Sequence, residues 1–206
     1  MQVLLINGSP HKEGCTYTAL HEVAFQLKTH RIESSIFHIG SGPMRGCIGC
    51  GRCKSLGHCV FDDDSLNEGL ALALRADAIV LGSPVHYASA AGAATAFFDR
   101  LFMASNGAFA LKPGAAVVSC RRGGASATFD QLNKYFTISQ MPVVSSKYWN
   151  SVHGNTPDEV RQDLEGMQVM RVLGDNLAWL LQCIDAAKDI VSKPERETPV
   201  KTNFIR

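Results

Sequence analysis

The chain has 206 residues, 46% of them hydrophobic, with a mean hydropathy of zero, enough apolar material for one packed domain. A net charge of +1 and a pI near 7.6 exclude the basic field of a nucleic-acid binder and the acidic field that docks cationic partners. Any function must therefore be built locally.

The N-terminus, MQVLLINGSP, has a short apolar run that passes straight into a glycine turn. It lacks the length and basic flank of a signal peptide, and no run reaches the roughly 20 apolar residues a bilayer span needs, so the expectation is a cytoplasmic protein with reduced thiols. Val3–Asn7 reads as a strand, Thr16–Lys28 as a helix with Leu20, Val23, Ala24 and Leu27 at helical spacing, and Glu33–His38 as a second strand. A cysteine-rich loop, 46–59, follows. Asp62, Asp63 and Asp64 precede a helix at Leu66–Ala76 and are expected to cap it rather than to hold a metal.

Ala78–Ser83 is a third strand, apolar as expected for a sheet covered on both faces. Ala90–Met103 reads as a helix, Ala115–Cys120 as a fourth strand, Phe129–Ser139 as a helix and Val143–Tyr148 as a fifth strand. A helical segment from Pro157 to about Val191 closes the domain, 1–192, and a proline-broken tail, 193–206, follows as a frayed end or an arm for a second subunit. Strands alternating with helices predict an α/β fold, a doubly wound, three-layer sheet of five parallel strands in the order 2-1-3-4-5, with its ligand crevice at the carboxyl ends of the strands.

Three loops should meet in that crevice. The first, Asn7–Thr18, joins a strand to a helix, where backbone amides can hold an anion. It is neither a nucleoside-triphosphate loop, since Cys15 stands where the lysine would be, nor a GxGxxG fingerprint. Its hydroxyls on Ser9, Thr16 and Thr18 suit one terminal phosphate, such as that of a flavin mononucleotide, or simply an ordered turn. The second loop holds Pro84, Val85, His86, Tyr87, Ala88 and Ser89, with Tyr87 able to pack on an aromatic ring. The third runs from Ser119 through Cys120, Arg121 and Arg122 to Gly123 and Gly124, whose glycines permit close approach. Arg121 or Arg122 suits a reduced flavin or the phosphate of NADPH, or is a solvated loop residue.

The motif GCIGCGRCKSLGHC leaves three readings open: a metal cluster, disulfides, or a loop that no longer holds its cluster. Structural zinc usually draws paired knuckles from two places, whereas a cubane accepts three thiolates from one glycine-rich turn and a fourth from nearby. A reducing compartment disfavours disulfides. Cys183, in the apolar run Leu177–Ile184, reads as core, and Cys15 and Cys120 lack a base partner for thiol catalysis. Tyr148–Gly154 leaves the last strand near the crevice and reads as a loop that covers a bound ring or is merely ordered.

In order and spacing, GSPHKEGCTYT, CIGCGRCKSLGHCVFDDD and GSPVHYASAAGAATAFFDR resemble the flavodoxin-like NADPH-dependent FMN reductase family, and within it the iron-sulfur flavoproteins. The resemblance spans roughly 1–124 and implies an FMN phosphate loop at Ser9, His11, Gly14, Cys15, Thr16, Tyr17 and Thr18. It implies ring contacts at Pro84, Val85, His86, Tyr87 and Ala88, with a third loop at Ser119, Arg121, Arg122, Gly123 and Gly124, and a [4Fe-4S] cluster on Cys47, Cys50, Cys53 and Cys59. Here His11 replaces a common arginine or lysine, and His86 a usual tyrosine. The resemblance further implies a homodimer or homotetramer. It implies electron transfer from NAD(P)H or a ferredoxin-like donor to a quinone, flavin or similar acceptor, without a catalytic side chain. The alternative is a non-enzymatic, flavodoxin-like electron carrier.

Overall fold

A computed structural model describes residues 1–195, 197–202 and 204. Its elements are β1 (Gln2–Asn7), α1 (Cys15–Thr29), β2 (Glu33–His38), α2 (Cys53–Leu56), α3 (Leu66–Arg75), β3 (Ala78–His86), β4 (Ser89–Ala90), α4 (Gly92–Ala104), β5 (Gly114–Cys120), α5 (Ala125–Ile138), β6 (Ser151–His153), α6 (Pro157–Gln162) and α7 (Leu164–Ala187). Parallel pairing gives the sheet order β2-β1-β3-β5-β6, with β4 a hairpin strand on β3. This is the doubly wound, flavodoxin-like arrangement expected from the sequence.

Alternation along the strands divides the core. Leu4 and Ile6 pack with Leu70, Phe97, Phe98 and Phe136 from α3, α4 and α5, whereas Val3 and Leu5 pack with Leu20, Val23, Leu173 and Leu177 from α1 and α7. Successive side chains point to opposite faces, so one short strand seeds both layers.

Four expectations need correction. The fifth strand is β6 at Ser151–His153, not Val143–Tyr148. Val143 makes a single bridge to Gly114; the chain then swings out, Ser146 Oγ donating to the Val169 carbonyl, and rejoins the sheet when Val118 N–H bonds the Asn150 carbonyl at 2.9 Å. The segment read as a trailing loop therefore carries the edge strand, and Tyr148 and Trp149 are left exposed on the excursion. The final helix is broken at Asp163, whose Oδ1 accepts from Gly166 N–H at the start of α7 and whose Oδ2 accepts from His153 N–H at the end of β6. Cys183 is exposed rather than core, because α7 presents it to the solvent side near its end. The segment 84–89 is not an open loop but a hairpin, formed because β3 runs on past Ser83.

Candidate functional site

The three predicted loops do converge at the carboxyl ends of β1, β3 and β5. Asn7 is the hinge of the first. Fully buried, its Oδ1 accepts from Ser9 N–H at 3.1 Å, and its Nδ2 donates to the Lys12 carbonyl at 3.0 Å and to the His11 carbonyl at 3.5 Å. Ser9 Oγ accepts from His11 N–H, and the Ser9 carbonyl is 2.8 Å from His38 Nε2 at the end of β2. The loop is thereby rolled into a fixed collar before α1 begins.

At the start of α1, Gly14 offers no side-chain cap, and the first turn holds no carboxylate. The first-turn amides are orphan donors at the positive end of a 15-residue helix, which suits an anion. The hydroxyls are more committed than the sequence suggests. Thr18 Oγ1 donates to the Gly14 carbonyl at 3.2 Å, and Thr16 Oγ1 shares a 2.8 Å hydrogen bond with Ser119 Oγ across the sheet edge. Thr16 and Ser119 thus tie the first loop to the third, and what faces an anion is chiefly backbone.

The second loop is a tight hairpin. Tyr87 and Ala88 have φ of +53° and +58°, a left-handed pair at its tip that non-glycine residues seldom adopt. Ser89 Oγ and Ala90 N–H both donate to Gln131 Oε1 at 2.8 Å, so a side chain from α5 holds the hairpin in its strained form. His86 and Ala88 are exposed, and Tyr87 is completely so. In the third loop Gly124 has φ +89°, and a Cβ there would stand 2.7 Å from the Ala88 Cα, so the second and third loops touch only because this residue is glycine. Arg121, Arg122 and Gly123 are exposed at the rim. Cys15 lies beneath, its Sγ donating to the Gly154 carbonyl at 3.6 Å, and burial pushes its thiol pKa up, away from thiolate chemistry.

The cysteine loop builds a second centre. All seven cysteines are free thiols, and Cys47, Cys50, Cys53 and Cys59 line one cavity with Ile48, Phe61, Arg100 and Met103. Gly49 and Gly51, at φ +66° and +67°, supply the left-handed turns that bring Cys47, Cys50 and Cys53 around it. Among the described residues no three His, Cys, Asp or Glu side chains meet closely enough to hold a single ion. A cubane makes a different demand, since each thiolate binds a separate iron, and the donor set lining this cavity, four free thiols, is of the kind it takes.

Sequence reasoning missed the residues that hold this loop. Asn67 of α3 accepts from Cys59 N–H at 2.9 Å and donates to the Cys59 and Phe61 carbonyls at 3.1 and 3.0 Å. Arg100 of α4 is 2% exposed and paired with Asp64. The expected capping role of the acidic run is real but partial: Asp64 Oδ1 accepts from Leu66 N–H at 3.1 Å while the same carboxylate meets Arg100, and Asp63 pairs with Arg45. The signal available in sequence was an arginine between Phe97, Phe98 and Leu101, Phe102 on a helix that reads as core.

The fold and crevice define a flavodoxin-like α/β protein. Over residues 1–156 the chain matches the model of the NADPH-dependent FMN reductase family. It is 32% identical over 193 residues to an iron-sulfur flavoprotein of Methanocaldococcus jannaschii, covering 89% of this chain and 99% of the relative. It is 30% identical over 194 residues to the iron-sulfur flavoprotein of Methanosarcina thermophila, covering 92% of this chain and all of the relative. Among solved structures, RosB with bound 8-demethyl-8-formylriboflavin-5'-phosphate superposes with a TM-score of 0.70 at 13% identity, over 100% of this chain and 94% of that one. A WrbA-like flavodoxin from Agrobacterium tumefaciens gives 0.63 at 13% identity, over 88% and 98%, and both likenesses speak to the fold. The chain belongs to the NADPH-dependent FMN reductase family, in its iron-sulfur flavoprotein branch. As such it is a flavoprotein oxidoreductase of the FMN-binding fold. No described helix is long and apolar enough to cross a membrane.

Proposed function

We propose that this chain moves electrons between NAD(P)H, or a ferredoxin-like donor, and a small acceptor such as a quinone or free flavin. FMN would lie in the crevice and a [4Fe-4S] cluster on Cys47, Cys50, Cys53 and Cys59. The observation that carries the reading is the uncapped, carboxylate-free first turn of α1, tied to the third loop through Thr16–Ser119, which in turn abuts the second at Gly124–Ala88. When bound, FMN supplies two-electron chemistry and the cluster single-electron exchange.

The protein's own residues then divide the work. First-turn amides at Cys15, Thr16 and Tyr17 hold a phosphate; the hairpin from Pro84 to Ser89 and the glycines at 123 and 124 offer backbone and an exposed Tyr87 to a ring. Arg121 and Arg122 stand at the rim with side chains open to solvent, suited to the negative charge of a reduced ring or of an incoming nucleotide. Exposed Tyr87, Tyr148 and Trp149 suit a second copy of the chain, supporting a homodimer or homotetramer. The free thiols fit a cytoplasmic setting.

Anaerobic reconstitution with FMN, iron and sulfide tests the whole. The expected result is stoichiometric FMN, four irons per chain, and bleaching of the flavin band by NADH or NADPH. Tight FMN with no bleaching by either nucleotide, but reduction by a reduced ferredoxin, would instead identify an electron carrier. Failure to take up FMN would sink both.

A further inference from the structure

Among the described residues Arg100 is one of the largest fully buried side chains, and its hydrogen bonds all go to residues 44–64 rather than to the crevice. It lies on α4, eight residues beyond Gly92 and so about 12 Å along the helix from the hairpin. Its five N–H donors are all engaged, and all by the cysteine loop or its flanks. Nε and Nη2 each donate to Cys59 Sγ at 3.4 Å. Nη1 reaches the Arg45 carbonyl at 3.2 Å and Met44 Sδ at 3.7 Å, just before Cys47, while Nη1 and Nη2 clasp Asp64, just after Cys59. Phe61 stacks over the guanidinium at 5.5 Å.

A purely structural clasp needs the carbonyls and Asp64. It does not need two donors on one cysteine sulfur. From this geometry we propose that Arg100 is a positioning and tuning residue for a cluster held by Cys47, Cys50, Cys53 and Cys59: it orients the Cys59 sulfur and, through two charge-assisted hydrogen bonds, raises the cluster's reduction potential. The inference rests on the cluster assignment above. Reduction adds one electron to the cluster, and a fixed cation with donors on a ligating sulfur favours that more negative state. Asp64 neutralises part of the charge, so the donors on sulfur carry the remainder.

The test uses full-length protein reconstituted anaerobically with iron and sulfide, as wild type and as Arg100→Lys, which keeps the charge but loses the paired fork. Both are measured for iron and sulfide content, for circular dichroism, and for midpoint potential by redox titration followed by electron paramagnetic resonance. The expected outcome is equal iron with a midpoint at least 59 mV more negative in the variant, a tenfold shift in the one-electron equilibrium. Where Arg100→Lys does not fold, reduced wild type grown with 15N-arginine should show nitrogen hyperfine coupling to the cluster by pulsed resonance. A loaded variant with an unmoved midpoint, or absent nitrogen coupling in loaded wild type, overturns the role of Arg100 alone. Wild type that takes up no iron and sulfide overturns the cluster assignment and this role with it.

Discussion

The crevice at the carboxyl ends of the strands and the cysteine cavity are built by opposite means. The crevice is made of backbone: orphan amides of α1, a strained hairpin and a left-handed glycine, with side chains such as Asn7 and Gln131 acting as clamps from behind. The cysteine cavity is made of side chains on an excursion with little regular structure, pinned by Arg100 and Asn67 from two helices. Backbone sites tolerate changes of residue type but not of shape. Side-chain sites tolerate changes of shape but not the loss of one partner.

Removing Asp64 should test that difference most severely. Its side chain is 4% exposed and that of Arg100 1%, so Asp64→Ala leaves a buried guanidinium without its carboxylate, at a cost of about 3–5 kcal/mol. At roughly 2–4 °C per kcal/mol for a chain of this size, thermal melting should fall by roughly 6–20 °C. A fall under 2 °C would mean that the pair is not buried in solution. Gly124→Ala comes next: a left-handed alanine costs about 1–2 kcal/mol and its Cβ must push the hairpin away. FMN titrations should show affinity at least tenfold weaker while iron uptake stays unchanged.

The two asparagines allow a matched comparison. Asn7→Ala and Asn67→Ala each strand backbone groups, for about 1–3 kcal/mol, but hydrogen exchange should quicken at Ser9 in the first and at Cys59 in the second, without crossover. A smaller effect concerns the thiols. In metal-free protein, exposed Cys47 and Cys50 should alkylate at least tenfold faster than Cys15, whose burial raises its pKa, as mass spectrometry of iodoacetamide-treated samples can read.

Smallest is the response to acid at Asp63. The hydrogen bond from Arg45 holds its carboxyl below the ordinary range, so its contribution is present above the unfolded pKa and fades as pH falls through the lower folded value. Both partners are more than half exposed, so an Asp63→Asn melt should differ little from wild type at neutral pH, with the remaining gap closing in acid.

Legibility followed the same division. β2 appears in the structure at the predicted Glu33–His38, and the order of the parallel strands was readable because two-residue alternation and turn glycines are local properties. The fifth strand was not, since Val143–Ser145 has strand-like residues yet pairs only once before the chain bulges towards α7. Thr16 was readable as part of the first strand-to-helix loop, but not its bond to Ser119, 103 residues away.

By itself the sequence determined the doubly wound fold, the three loops of the crevice, and four cysteines spaced to surround one cavity, because each depends on near neighbours along the chain. Tertiary structure alone decided that Arg100 is buried. It lies on the buried side of α4, and residues 44–64 fold over it, where Asp64, the Arg45 carbonyl and the Cys59 sulfur satisfy the donors it carries. A cation can leave water only when such partners arrive together, and their convergence depends on the whole fold rather than on any stretch of sequence.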